Sequence, residues 1–292
     1  MESSARRPAN LTGSLILLAA LIAFSIMTVL IKIAGARIPL VEILTVRQLV
    51  MQASILPFVL HDFPRVLMTP RPMLQIARGL LQLGAMVFSF AAVIHLPLAL
   101  AMALSFTYAI FVTVGASQFL RERVGLGRWV ATVIGLIGVA IMLRPTGSTS
   151  LFYSVVALLG AICSAGSALS LRISTGPDRA DTILTYQAFV LLAALIVPTV
   201  FVWVTPTLGE LVLLLLIGIT GTIGQLMLTI AYQKGQAAAL APLDFIRLLL
   251  TSICGFVFFG ETLEAEVLAG GVILIAATAY TFQANARMPV TP

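Results

Sequence analysis

Residues 211–231, LVLLLLIGITGTIGQLMLTIA, contain no Asp, Glu, Lys or Arg. Wound as an α-helix at 1.5 Å per residue, such a stretch reaches about 30 Å, the thickness of a bilayer's hydrocarbon core. A strand is excluded, because the run is too long and lacks alternating polarity. Glu210 stands at one end and Lys234 at the other, so charge resumes where the membrane would end. Within the run Gly218, Gly221 and Gly224 recur every third residue, a stripe that lets a neighbouring helix backbone come close.

The rest of the chain repeats this plan. Ten spans are predicted: 14–33, 41–60, 74–94, 98–119, 126–143, 151–172, 182–203, 209–231, 237–259 and 266–283. The breaks between them carry turn chemistry: Pro39, Pro64 with Pro70 and Pro72, Pro97, Pro145 with Gly147, Pro177, Pro206 and Gly235. Over all 292 residues, 60% are hydrophobic and 10% charged. Soluble domains carry about 25% charged residues, so this is an integral membrane protein. Arg6 and Arg7 before an apolar stretch resemble a secretory signal, but the stretch 14–33 exceeds a signal's 7–15-residue core, and it is read as the first span.

The formal charge of +6 does not indicate nucleic acid, because the basic residues lie in short connections. With the N-terminus inside, the inner side holds Arg6, Arg7, Arg65, Arg71, Arg78, Arg121, Arg123, Arg128, Arg172, Arg179, Lys234 and Arg287. The outer side holds only Lys32, Arg37 and Arg144. Arg47 and Arg247 fall within spans and do not enter the comparison. Both termini are therefore expected in the cytoplasm. Cys163 and Cys254 sit singly among small apolar residues, as buried side chains rather than metal ligands or a disulfide.

Sliding the chain on itself by 139 or 140 residues gives a repeat. Ile43-Leu44-Thr45 recurs as Ile183-Leu184-Thr185, Lys32 matches Arg172, Gly79 matches Gly218, and Ala92 matches Ala231. Arg121-Glu122 follows the fourth span where Gly260-Glu261 follows the ninth. An odd number of spans per half inverts one half against the other, the plan of secondary transporters with a midplane site between halves. The expected architecture is all-α: ten transmembrane helices in two inverted five-helix repeats, 1–145 and 146–292, around a central cavity.

Two five-helix repeats, each with a Glu just after its fourth helix, resemble the EamA-type exporters of the drug/metabolite transporter superfamily. The resemblance covers nearly the whole chain, and within the family the sequence looks like the bacterial amino-acid exporters of the YddG kind. It implies export of aromatic and other neutral amino acids and related small metabolites across the bacterial inner membrane. The short Glu motif marks the superfamily, not a cargo.

Polar groups at midplane depth are costly, and so point to function. Asp244 lies about 10 Å and Arg247 about 15 Å along the ninth span, three residues apart on one face. Their repeat counterparts are Ser105 and Tyr108. A structural salt bridge is one reading. The other is a cavity in which Arg247 meets a cargo carboxylate and Asp244 an amine or a proton. Gln82 and Gln225 either bridge helices or line that cavity. Phe88, Phe106 and Tyr108 could stack on aromatic cargo, although most of the 23 aromatic residues (16 Phe, 5 Tyr, 2 Trp) pack or face lipid. Trp129 and Trp203 belong to the interfacial belt. His95 falls at the outer boundary, and Ala157, Ala161 and Ala165 form a second small-residue stripe.

No Walker A, HExxH or GxSxG motif and no Cys/His cluster is present, so neither enzyme chemistry nor a cofactor or metal is expected. Transport would then run on gradients or exchange. The expected partners are a small-molecule substrate and the lipid bilayer, and nothing in the sequence demands more than a monomer. The competing readings are an exporter of organic cations or drugs, which a midplane Arg disfavours, and a non-transporting scaffold.

Overall fold

The computed structural model describes residues 2–61, 63–64, 67–119, 126–142, 148–174, 180–234, 244–261 and 265–286. These hold eleven α-helices: α1 Glu2–Ala34, α2 Leu40–His61, α3 Pro72–His95, α4 Leu98–Ser105, α5 Tyr108–Phe119, α6 Leu126–Met142, α7 Ser148–Ser174, α8 Ala180–Val202, α9 Leu208–Lys234, α10 Asp244–Phe259 and α11 Ala265–Ala286. Six of the described stretches are long and apolar enough to cross a membrane, among them Leu98–Gly115, which runs through α4 into α5. Shorter apolar stretches lie at Trp129–Ile141, Ile246–Phe259 and Ala265–Ala277.

Proline sets several helix starts. α2 begins directly after Pro39 and α4 after Pro97, while Pro72 takes the first position of α3, where its missing N–H leaves no bond unmade. α9 is capped reciprocally: the Thr207 amide donates to Glu210 Oε2 at 2.7 Å, and the Glu210 amide reaches Thr207 Oγ1 at 3.4 Å.

Burial on α9 shows the solvent for which these helices are built. Its inner face is Leu214, Ile217, Gly218, Gly221, Thr222, Gly224 and Ala231. Its outer face presents Leu211, Leu215, Ile219, Ile223, Leu226 and Ile230. The glycines, a threonine and an alanine face protein beside Leu214 and Ile217, while the outward face is wholly large and apolar, unlike the polar outer face of a water-soluble helix and as lipid requires. The glycine stripe meets its partners closely. A Cβ at Gly218 would lie 2.6 Å from Val50 Cβ, one at Gly221 2.9 Å from Met27 Sδ, and one at Gly224 3.0 Å from the Phe24 ring. The Ala157, Ala161 and Ala165 stripe is likewise buried. On the same helix, a Cβ at Gly160 would lie 2.8 Å from Ser89 Oγ of α3.

The most extensive helix pairings are α1 with α9, α3 with α7, and α6 with α11. The sequence offset carries α1 onto α7 and α3 onto α9, so the first two pairings exchange and the third maps onto itself. The packing of α2 on α9 and of α3 on α8 exchange in the same way.

Candidate functional site

The predicted fourth span is not one continuous helix. α4 ends at Ser105, two turn residues follow, and α5 starts at Tyr108. Around the break the bonds shorten to i→i+3: Phe106 N–H to Ala103 O at 3.2 Å, Thr107 N–H to Leu104 O at 3.1 Å, Ile110 N–H to Thr107 O at 2.9 Å. Ser105 Oγ donates to Met102 O and Thr107 Oγ1 to Leu104 O, both at 2.7 Å. Two hydroxyls thus compete for carbonyls of the preceding turn, which tightens and bends a helix without proline or glycine. Ser105 and Tyr108, both half-buried, flank the break. Interrupted spans near the middle of a helical membrane protein are where ligands and ions are held.

α10 packs against both α4 and α1. Its half-buried Arg247 holds the guanidinium carbon 5.2 Å from the Phe24 ring centroid, a cation–π contact. Phe24 in turn packs on Gly224, next to half-buried Gln225 of α9. Arg247 and Phe24 therefore meet at the seam of α1 and α9, where Gln225 follows Gly224 in the chain. Asp244 opens α10, but its side chain, and with it the expected Asp244–Arg247 pairing, lies outside the described residues.

Other candidates fall elsewhere. Ser167 of α7 donates to Gln82 Oε1 at 3.0 Å, so Gln82 bridges α3 to α7. Phe88 packs at the same interface, against Gly84 and Gly160. His95 stacks on Tyr153 with centroids 3.8 Å apart, at the exposed end of α3. Trp129 and Trp203 are exposed. Two hollows open on the periphery, one of about 480 Å³ between α6 and α11 and one of about 400 Å³ between α2 and α8. Both have apolar linings, and neither is lined by the predicted site residues.

Several charges read as loop residues, or set aside, are integral to the helix packing. Lys32 Nζ donates to Glu261 Oε1 and, at 2.6 Å, to the Leu96 carbonyl, and it lies 5.1 Å from the Phe259 ring centroid. The other Glu261 oxygen accepts the Leu98 amide at 2.7 Å. One ion pair thus ties the end of α1, the end of α10 and the α3–α4 corner together. The backbone explains the Gly-Glu motif: Gly260 adopts φ +62°, a left-handed turn that ends α10, and the Glu261 amide bonds back to the Gly255 carbonyl at 3.1 Å. Arg78, counted among the loop charges, is 6% exposed and donates to the Ile183 carbonyl of α8 at 3.4 Å. Glu42 is fully buried at the start of α2 and accepts the Val204 amide at 3.0 Å. Arg47 on α2 is also buried, with Nη1 directed at Met86 Sδ, 3.2 Å away. A charge inside a span was the available signal for Arg47.

Residues 11–144 and again 151–283 match the EamA-like transporter family. The chain is 30% identical to the S-adenosylmethionine uptake transporter of Rickettsia bellii over 90% of each sequence. It is 30% identical to the pseudopaline exporter CntI of Pseudomonas aeruginosa over 91% of this chain and 94% of that one. It is 31% identical to the riboflavin transporter of Rhizobium johnstonii over 76% and 73%. A solved crystal structure with 15% identity superposes at a TM-score of 0.65, covering 95% of this chain and 99% of the other, which establishes the shared fold. These relatives carry unlike cargoes, and by name one imports while another exports. The chain belongs to the EamA-like transporter family and is a multi-pass membrane transporter.

Proposed function

We propose that this protein is a secondary transporter that moves amino acids, aromatic and other neutral ones, and related small metabolites out of the cell by alternating access, without ATP. In this reading the chain crosses the bacterial inner membrane ten times with both termini in the cytoplasm, and an in-plane two-fold axis relates residues 1–145 to 146–292. The observation that supports it most is the interrupted span at Ser105–Tyr108, on a helix that packs against the one carrying Arg247. A hydroxyl, a phenol and a guanidinium on adjoining elements suit a zwitterion with an aromatic or heterocyclic body. Arg247 would take the carboxylate and Asp244 the ammonium, with Gln225 and Tyr108 beside them. Gln82 and Phe88 serve the α3–α7 interface in this reading.

The relatives favour a broad definition of cargo. S-adenosylmethionine is itself an α-amino acid bearing a nucleoside, so one carboxylate-and-amine recognition scheme would serve it and phenylalanine alike. The test is counterflow uptake into proteoliposomes of L-phenylalanine, S-adenosylmethionine and riboflavin, with tetraphenylphosphonium as an organic cation. Uptake of the two amino acids without ATP is expected. Movement of the phosphonium alone would replace this cargo with organic cations.

A further inference from the structure

Arg47 is 8% exposed, so the residue is more than nine-tenths buried, and its Nε is shut off from solvent. Guanidinium stays charged in proteins and carries five donors in a fixed fork. Here Nη1 reaches only the thioether of Met86, a weak acceptor, and Nε meets no acceptor among the described residues. No carboxylate pairs with Arg47 among the described residues. The neighbouring Gln48 is 1% exposed, and its Oε1 also meets no donor there. Burying a charge without a partner costs several kcal/mol, more than a side chain kept only for packing would justify.

A glycine brings the α9 backbone close against that charge. Gly221 of α9 faces Arg47 directly: a Cβ there would lie 3.0 Å from Nε and 2.9 Å from Met27 Sδ. One turn along the same seam, Gly224 meets Phe24, over whose ring Arg247 lies. Arg47 from α2 and Arg247 from α10 thus address the α1–α9 seam at successive levels, one beside Met27 and the other beside Phe24.

We propose that Arg47 is the anchor of a second anion subsite, one that takes a carboxylate group of the transported molecule. A planar carboxylate is the ligand that satisfies a guanidinium fork in two parallel bonds and neutralises it within the membrane. The inference rests on the transport reading above and goes beyond it, because it gives the cargo's carboxylate a station on α2, apart from Arg247.

The experiment measures thermal stability in detergent and uptake into liposomes for wild type, Arg47→Met, Arg47→Lys and Arg247→Met. The probes are L-phenylalanine and S-adenosylmethionine against 2-phenylethylamine and decarboxylated S-adenosylmethionine, with sodium chloride and inorganic phosphate as plain anions. At least one carboxylate probe should stabilise and enter with wild type, and its decarboxylated partner should not. Arg47→Met should be at least as stable as wild type without ligand, lose the ligand-induced rise, and show a KM raised roughly ten- to hundred-fold for the carboxylate probe. Arg47→Lys keeps the charge without the fork and should raise KM by a smaller factor, so the inference stays testable if the Met variant fails to fold.

An unchanged KM and stabilisation in the folded Arg47 variants, with loss only in Arg247→Met, would overturn this subsite and leave the transport reading intact. Equal stabilisation by chloride or phosphate would overturn its assignment to a carboxylate. If wild type responds to no carboxylate probe, the subsite and the amino-acid cargo fall together, while uptake of another probe would keep the protein a transporter.

Discussion

Two cations, half-buried Lys32 and buried Arg47, sit in one bundle under opposite circumstances. Lys32 has a carboxylate, a backbone carbonyl and an aromatic face around it, and its Glu261 partner also accepts an amide. Arg47 has a thioether. The first is a closed network whose members satisfy one another, which is how a protein uses charge to fix helices against each other. The second carries a larger burial cost with little return among the described residues, which marks a group whose partner arrives from elsewhere. Burial of charge alone therefore does not separate architecture from function in this molecule. The completeness of the hydrogen bonding does.

The largest effect should come from breaking the closed network. Lys32→Met leaves Glu261 half-buried and without its cation, and Glu261→Gln leaves Lys32 without its countercharge. Each should destabilise the protein by about 3 kcal/mol, the range for removing one member of a buried pair. The double variant should recover part of that loss, with a coupling energy above about 1 kcal/mol in a double-mutant cycle followed by thermal unfolding in detergent. Additive losses would mean that the two side chains act separately, and the contrast with Arg47 would disappear.

The pair expected of Asp244 and Arg247 can be sorted by the same kind of measurement. Arg247→Ala should lower stability, and changing both residues to Ala should restore much of it if they form a structural pair. If they bind cargo, all three variants lose uptake even where stability returns. A stable double variant with normal uptake would return both residues to the scaffold.

Helix contact supplies a smaller effect. Gly218→Ala would drive a methyl to within 2.6 Å of Val50 Cβ, a branched side chain on a packed helix face that cannot swing aside. Overpacking of this kind costs about 1–3 kcal/mol, so a fall in melting temperature is expected. Gly209→Ala is the control, since a Cβ there meets nothing within 4 Å. Equal stability of the two variants would show that the seam of α2 and α9 yields easily.

The sequence made part of this legible, and the reasons differ from residue to residue. The glycines of α9 were legible because their three-residue spacing is local and their meaning in a membrane is general. The prolines at helix starts were legible for the same reason. Lys32 and Glu261 were visible as repeated positions, but their union joins residues far apart in sequence, and no local pattern encodes it. The break at Phe106–Thr107 contains neither proline nor glycine. It depends on two hydroxyls turning back onto the helix, which serines and threonines in unbroken helices also do. Arg47 was visible as a charge within a span, but only the lack of any acceptor stronger than a thioether among the described residues, a property of four packed helices, sets it apart.

The smallest expected effect sharpens the comparison from the other side. Arg37 and Glu210 also form an ion pair, joining the α1–α2 turn to the start of α9. The Glu210 carboxylate, by hydrogen bond and charge, raises the Arg37 pKa above its ordinary value. Yet the Arg37 side chain is 51% exposed, against 13% for Lys32. Water and salt screen the exposed pair, and surface pairs of this kind contribute little to stability. Arg37→Gln should therefore move the melting temperature only slightly at low salt, and by less still in 0.5 M sodium chloride. Over the same change of salt, the loss caused by Lys32→Met should persist, because a Debye cloud does not enter a packed helix corner. If both losses faded together with salt, the Lys32–Glu261 network would be no better enclosed than the surface pair, and its stability would owe more to the neighbouring helices than to the charges themselves.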